Sequence, residues 1–216
     1  MPRRDNLEKQ MSRDLSPILQ EWPYEHGQVN VRLIRGDDGE PRIQMRLDLG
    51  LLQMEVSGRP DGLRPHGYES LLEQYEAAIE EHVPTDESDE FALSPEDCRL
   101  IRDEAVQYYH RYIAMLILME YDAVVRDTSR NLRVLDLCRD YAEAEDDQEI
   151  LEQFRPYLVM MRARAVASQA VSDEEPKAAL FAIDQGIEEI RKIFEEAGSP
   201  DDFETANETQ LLRGMR

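Results

Sequence analysis

Between residues 29 and 33, Val29, Val31 and Leu33 alternate with Asn30 and Arg32. A period of two places the apolar side chains on one face of a strand. Asp37 to Glu40 then carries turn chemistry, because Asp and Gly tolerate the backbone angles of a tight reversal. The run from Pro41 to Val56 alternates again, with Ile43, Met45, Leu47 and Leu49 opposite Gln44, Arg46 and Asp48. After Gly50 the apolar positions change parity to Leu52, Met54 and Val56. A slip of one residue turns every side chain over, so Gly50 is expected at a bulge or tight bend. The pattern predicts a hairpin extended to three strands, with one apolar face and the other carrying Arg32, Arg46, Asp48 and Glu55. So small a sheet needs helices or a second copy of itself for cover. Its exposed edge makes a homodimer through the sheet region an expectation.

From Gly67 the apolar positions follow a helical period: Leu71, Leu72, Tyr75 and Ile79 recur while the glutamates stay largely outward. An acidic loop is expected at 83–93. At 94–97 Ser94 is a helix cap, Pro95 fits the first turn, and Glu96 and Asp97 suit the positive end of the dipole. That helix becomes apolar nearly all round from Tyr112 to Met119 and is expected at the centre of the core. Further helices are predicted at about 122–142, with Val125, Leu132, Leu135, Cys138 and Tyr141 inward, and at about 148–171. In the latter, Ala163, Ala165, Ala167 and Ala170 permit close helix approach. A fourth begins near Pro176 and stops at Gly198-Ser199-Pro200. Before the sheet, Leu15, Ile18 and Leu19 suggest a short helix, and Trp22 beside Tyr24 is expected to pin this arm to the body. The fold class is therefore α+β: a small antiparallel sheet followed by an α-helical hairpin array. The expected units are 1–66 (arm and sheet), 67–198 (helical array) and 199–216 (flexible tail).

Charge sharpens the picture. The chain carries −22, and residues 65–216 hold 15 basic against 36 acidic groups. Such a surface repels phosphate backbones, which argues against direct nucleic-acid binding. No apolar run reaches the roughly 20 residues of a membrane span, and the N-terminus lacks the apolar region of a secretory signal. Cys98 and Cys138 have no CxxC spacing and read as reduced, buried thiols of a cytoplasmic protein.

Candidate chemistry is sparse. His26, His66, His82 and His110 are dispersed and lack metal-ligand spacing. The one combination the first long helix could gather is His66 and His82 with Glu69 and Asp86. There is no nucleophile elbow and no phosphate-loop context around Gly58 and Gly62. Asp97 ahead of Cys98 disfavours a thiolate. Neither metal nor cofactor is expected, nor catalysis. Residues 58–67 read first as a junction, with Pro60 and Gly62 in turn positions. Arg59, Arg64, His66 and Tyr68 are the ligand candidates there. Arg126, Arg130 and Arg133 share one helix face, where like charges repel by tenths of a kcal/mol. Two readings stand open: pairing with Asp122, Asp127 and glutamates of neighbouring helices, or a basic strip that grips a carboxylate or an acidic peptide. Arg155, Arg162 and Arg164 could extend such a strip.

Two resemblances add to these readings. KAALFAIDQGIEEIRKIFEEAG with RARAVASQAV resembles tetratricopeptide-type helix pairs, although the repeat is longer than that family's 34 residues and its Trp, Leu and Gly positions are not matched. The stretch from VNVRLIRGDDGE through RPHGYESLLE, residues 29–73, looks like the N-terminal half of bacterial proteins that end in a UVR motif. That motif is a short helical hairpin shared by the excision-repair proteins UvrB and UvrC, where it mediates protein–protein contact. Its FE-x-AA-x-x-RD pattern does not occur in this chain; ETQLLRGMR at 208–216 resembles a lead-in to it. The resemblance implies a cytoplasmic bacterial adaptor and carries over no catalytic residue. The function expected is a non-catalytic protein-interaction module, with Arg126, Arg130, Arg133 and Arg162 as partner-binding residues. The alternative is a small-molecule-binding protein or hydrolase with its site at the sheet–helix junction.

Overall fold

The computed structural model describes residues 14–83 and 90–216. The part of the arm before Asp14, most of the acidic loop, and Asp86 of the histidine combination lie outside the described residues. A short helix α1 (Ser16–Glu21) precedes three strands, β1 (Asn30–Arg35), β2 (Pro41–Arg46) and β3 (Leu51–Glu55). They form one antiparallel sheet in the order β1-β2-β3. Val31, Met45 and Leu52 are cross-strand neighbours, as are Leu33, Ile43 and Met54, so these six share the apolar face. The parity change at Gly50 is the chain reversal itself rather than a bulge. Leu47 and Gly50 exchange backbone hydrogen bonds of 2.9 and 3.4 Å around Asp48 and Leu49. Asp48 therefore sits in a turn and not on the polar face.

That polar face is ordered by its own ladder. Arg32 Nε donates to Gln44 Oε1 at 2.8 Å, and Gln44 Nε2 donates to Gln53 Oε1 at 2.9 Å. Arg42 pairs across to Glu55 at 2.8 Å. The arm lies on this face through cations: the Arg32 guanidinium stands 4.2 Å from the Trp22 ring centre, and Arg46 Nε donates to the Trp22 carbonyl at 2.8 Å. Trp22 thus holds the arm as its position suggested. On the outer strand β1, Val29 and Leu33 remain 49% and 56% exposed.

The helices follow as α2 (Leu71–Glu81), α3 (Pro95–Ile117), α4 (Tyr121–Tyr141), α5 (Glu145–Glu149), α6 (Arg155–Ser172), α7 (Pro176–Glu196) and α8 (Asn207–Met215). Ser94 caps α3 in a full capping box with Asp97. The single helix expected at 148–171 is broken. Pro156 lies in the first turn of α6, where it lacks a donor and cannot continue a preceding helix, so α5 ends early and a 3₁₀ turn at Glu152–Phe154 intervenes. Residues 199–216, expected as a flexible tail with a loop and the start of another helix, form a 3₁₀ turn, Pro200–Glu204, and α8, packed on α6 and α7. Phe203 and Leu212 anchor it at 3% and 0% exposure. One apolar core runs from Ile43, Met45 and Met54 of the sheet to Leu212 of α8, so the 66/67 boundary divides the chain but not the core.

The array contains an internal repeat. α3 with α4 and α6 with α7 are helical hairpins, and α4 recurs as α7 at a shift of 55 positions (121 to 176, 141 to 196). Their tips are built alike. Met119 and Glu174 adopt φ 61° and 59°. The Glu120 N–H donates to Met115 O at 2.9 Å and the Glu175 N–H to Ala170 O at 2.8 Å. The buried stripe also keeps register: Val124, Thr128, Leu132 and Leu135 of α4 match Ala179, Ile183, Ile187 and Ile190 of α7.

Close approach in the second hairpin depends on Gly186. A Cβ there would lie 2.4 Å from Ala163 Cβ and 3.1 Å from Leu212 Cδ1. Gly186→Ala should therefore lower the calorimetric Tm by about 3–8 °C despite its better helix propensity. Adding Ala163→Gly should restore part of the loss; a Tm that rises in the single variant would contradict this packing.

Candidate functional site

The first hairpin carries charge where a core stripe is expected. Glu104, Tyr108 and Arg111 fall at i, i+4 and i+7 on α3, in line with Ile101, Tyr112 and Met115. On α4, Asp127, Thr128, Arg130 and Asn131 are buried as well. Arg111, only 1% exposed, donates Nε and Nη2 to the fully buried Asp127 at 2.7 and 2.9 Å. Its Nη1 donates to the carbonyls of Glu55 and Gly58 at 3.2 and 2.7 Å. One guanidinium thus joins α3, α4, the end of β3 and the junction loop. Arg126 adds a second clamp, with Nε on Asp127 at 2.9 Å and Nη2 on the Val56 carbonyl at 3.1 Å.

Glu104 is the other buried anion. Both its oxygens accept from the Leu71 N–H, at 3.2 and 2.9 Å, at the positive end of the α2 dipole. Arg130 donates to the same carboxylate, and Arg59 Nε lies 3.3 Å from it. Arg130 also donates to Asn131 Oδ1 at 3.1 Å, while its Nε is buried without a hydrogen-bond partner. Burial draws the Arg130 guanidinium below its ordinary pKa, against the opposing effect of Glu104.

Tyr108 stands between these two ion pairs. Its ring centre is 4.1 Å from the Arg130 guanidinium carbon and 4.8 Å from that of Arg111. Burial raises the pKa of its hydroxyl, with both arginines pulling the other way. It is therefore a protonated donor at neutral pH.

Of these groups, Tyr108, Arg111, Arg126, Asp127 and Arg130 line a cleft of about 440 Å³, walled also by Ser57 and Gly58 of the junction and by Glu69, Ser70, Leu72 and Glu73 at the start of α2. Arg133 closes one side, paired with Glu76 of α2, and separates the cleft from a shallower acidic groove between α2 and α4. Arg126, Arg130 and Arg133 thus all line the cleft, each already bonded to a carboxylate. Asp127, Glu104 and Glu76 supply the partners, and Asp122 is not among them. Arg162 faces Glu189 of α7 at 2.8 Å and does not join them; Arg155 pairs with Glu152 and Asp136. Of the junction candidates, Arg59 turns inward to Glu104, whereas Arg64, His66 and Tyr68 are exposed and do not line the cleft. His66 takes a left-handed φ of 50°, which serves the junction turn. Two regions read separately in the sequence, the α4 strip and Arg59, converge on one buried network.

Glu104, Tyr108, Arg111 and Asn131 were not legible as site residues in a reading of exposed charge. The signal lay in the helical period, which puts two charged residues of α3 inside the core stripe. The cysteines are buried and free, and burial pushes the Cys138 thiol up to about 12. Among the described residues, no helix is long and apolar enough to cross a membrane. Compared with known proteins, the chain matches no family model, no curated protein and no solved structure.

At the positions 55 residues on, Arg111 and Asp127 become Val166 and Ala182. Arg111→Val should cost about 3–5 kcal/mol in urea unfolding because the buried Asp127 loses its bidentate partner and keeps only Arg126, while the Glu55 and Gly58 carbonyls lose their donor. Arg111→Val with Asp127→Ala should recover a large part of that loss. A double variant no more stable than the single one would refute this account of the pair.

Proposed function

We propose that the chain is a non-catalytic interaction module whose arginine-lined cleft receives a short charged segment of a partner protein. One observation carries this reading: the polar network is confined to the first hairpin. At the corresponding positions of the second hairpin Glu104, Tyr108, Arg111, Asp127 and Asn131 become Val159, Ala163, Val166, Ala182 and Gly186. The same helical register carries small and apolar residues there, with Val159, Ala163 and Gly186 buried, Ala182 partly buried and Val166 exposed. Burying charge is costly and rarely adds net stability over an apolar alternative; here the network docks the sheet and α2 and at the same time lines a cleft. The proposed adaptor role, with a repair or stress partner in a bacterial cytoplasm, is the one implied by the resemblance to UVR-motif proteins expected for residues 29–73. The free edge of β1 is the surface through which a homodimer would form.

A second reading, a small-molecule site, is favoured by the cleft volume, which falls within the roughly 300–1,000 Å³ of ligand pockets. A photo-reactive amino acid at Ser129, which lines the cleft, separates the two. Asp184 is the matching position of the second hairpin and serves as control. The expected result, after irradiation in cells, is a partner peptide cross-linked at 129 and not at 184. A small molecule retained by the native protein in mass spectrometry, with no peptide at 129, would replace the adaptor reading with the second one.

A further inference from the structure

Tyr108 is 5% exposed and lines the cleft, yet its hydroxyl has no hydrogen-bond partner among the described residues. Buried tyrosine hydroxyls ordinarily find a partner. This one is reachable from the cleft, since it is not among the polar atoms that are both buried and unpartnered. With the guanidinium groups of Arg111 and Arg130 at either side of the ring, the field at the hydroxyl favours an anionic acceptor. More donors stand on α4. Arg126 uses Nε and Nη2, which leaves Nη1 without a partner among the described residues, and Ser129 lines the same cleft.

We infer that the cleft is a carboxylate-binding site, in which Tyr108 Oη, Arg126 Nη1 and Ser129 Oγ donate to a ligand that carries a positive charge beside its carboxylate. The inference deepens the proposed function and rests on it. Four guanidinium groups, of Arg59, Arg111, Arg126 and Arg130, meet two buried carboxylates, Glu104 and Asp127, with Asp61 a further partner of Arg59 at 3.2 Å. The inner cleft therefore has room for one more negative charge. Its entrance differs in sign: Glu69 and Glu73 stand at the start of α2, and Glu73 accepts from the Glu69 N–H at 3.2 Å. An anion alone meets those carboxylates and the strongly acidic chain around them. A dianionic phosphate meets both twice over. A carboxylate with an adjacent ammonium or guanidinium satisfies the wall and the lip together, as a peptide segment with neighbouring Lys and Asp would.

The test uses the full chain with ¹³C-labelled tyrosine rings, followed by NMR during titration with a blocked Lys-Asp dipeptide, acetate or inorganic phosphate. The dipeptide should shift the Tyr108 resonance saturably, at least tenfold more tightly than acetate, and phosphate should not compete. Tyr108→Phe removes a hydroxyl that bonds none of the described residues, so Tm should stay unchanged or rise slightly. Dipeptide affinity, compared between this variant and the unaltered chain by isothermal titration calorimetry, should fall about 10–100-fold, the worth of one hydrogen bond to a charged group. Equal affinity in Tyr108→Phe, absence of a saturable shift, or tighter binding of phosphate than of the dipeptide overturns the carboxylate site. A cross-linked partner at Ser129 together with any of those results leaves the adaptor reading standing without it.

Discussion

The buried pair of Arg111 and Asp127 is the interaction on which the sheet–helix junction depends. Removing two full charges from water costs several kcal/mol per ion even after relaxation, and only good geometry with further hydrogen bonds offsets it. Here the geometry is bidentate, and the third nitrogen of Arg111 takes the carbonyls of Glu55 and Gly58. Those carbonyls belong to backbone that leaves β3 and cannot pair within the sheet. Without a donor, they would be polar groups stranded beside the core. Arg111 thus ties a loop with little apolar content to two helices. Arg126 repeats the device on the Val56 carbonyl. The sheet is too small to stand alone, and this tether adds to the apolar contact of Ile43, Met45 and Met54 with the helical core.

A tether alone would not require the second pair. Glu104 lies two turns before Arg111 on α3, Arg130 lies one turn after Asp127 on α4, and the Tyr108 ring lies against both guanidinium groups. Glu104 does structural work of its own, because it accepts from the first N–H of α2 and so fixes where that helix begins. The cleft exists because α2 starts there, after a junction loop that ends in exposed Arg64, His66 and Tyr68. Position and charge of the cleft therefore share one cause. The residues that dock the sheet are those that give the cavity its donors.

Much of the fold was legible from periodicity. The three strands, their apolar face and the four long helices follow from spacing in the chain, and Ser94 to Asp97 marks the start of α3 as the capping box shows. What periodicity missed has physical reasons. A two-residue reversal and a bulge both change parity, so Gly50 alone does not tell them apart. Pro156 sits inside an apolar run that reads as one helix, yet it opens a new one. The tail looked polar because its anchors, Phe203 and Leu212, are few and widely spaced. The site was half visible. Arg126, Arg130, Arg133 and Arg59 stood out as cations, but the sequence does not say which carboxylates they meet. Glu104 and Arg111 were hidden, since a charged residue in a core stripe counts in composition like any surface charge.

The charge of the chain gives the cleft its selectivity. With −22 overall, an anion is opposed once it comes within about a Debye length of the surface, roughly 8–10 Å at ordinary ionic strength. Inside the cleft the balance reverses, because the arginines there outnumber the buried carboxylates and stand in a medium of lower polarity. A freely diffusing anion is thus held off by the same molecule that would bind it at close range. A carboxylate delivered on a segment with positive charge does not meet that barrier, since the acidic exterior attracts its carrier. The acidity that argues against nucleic-acid binding would, with the network of the first hairpin, also act as a filter for ligands of mixed charge at the proposed site.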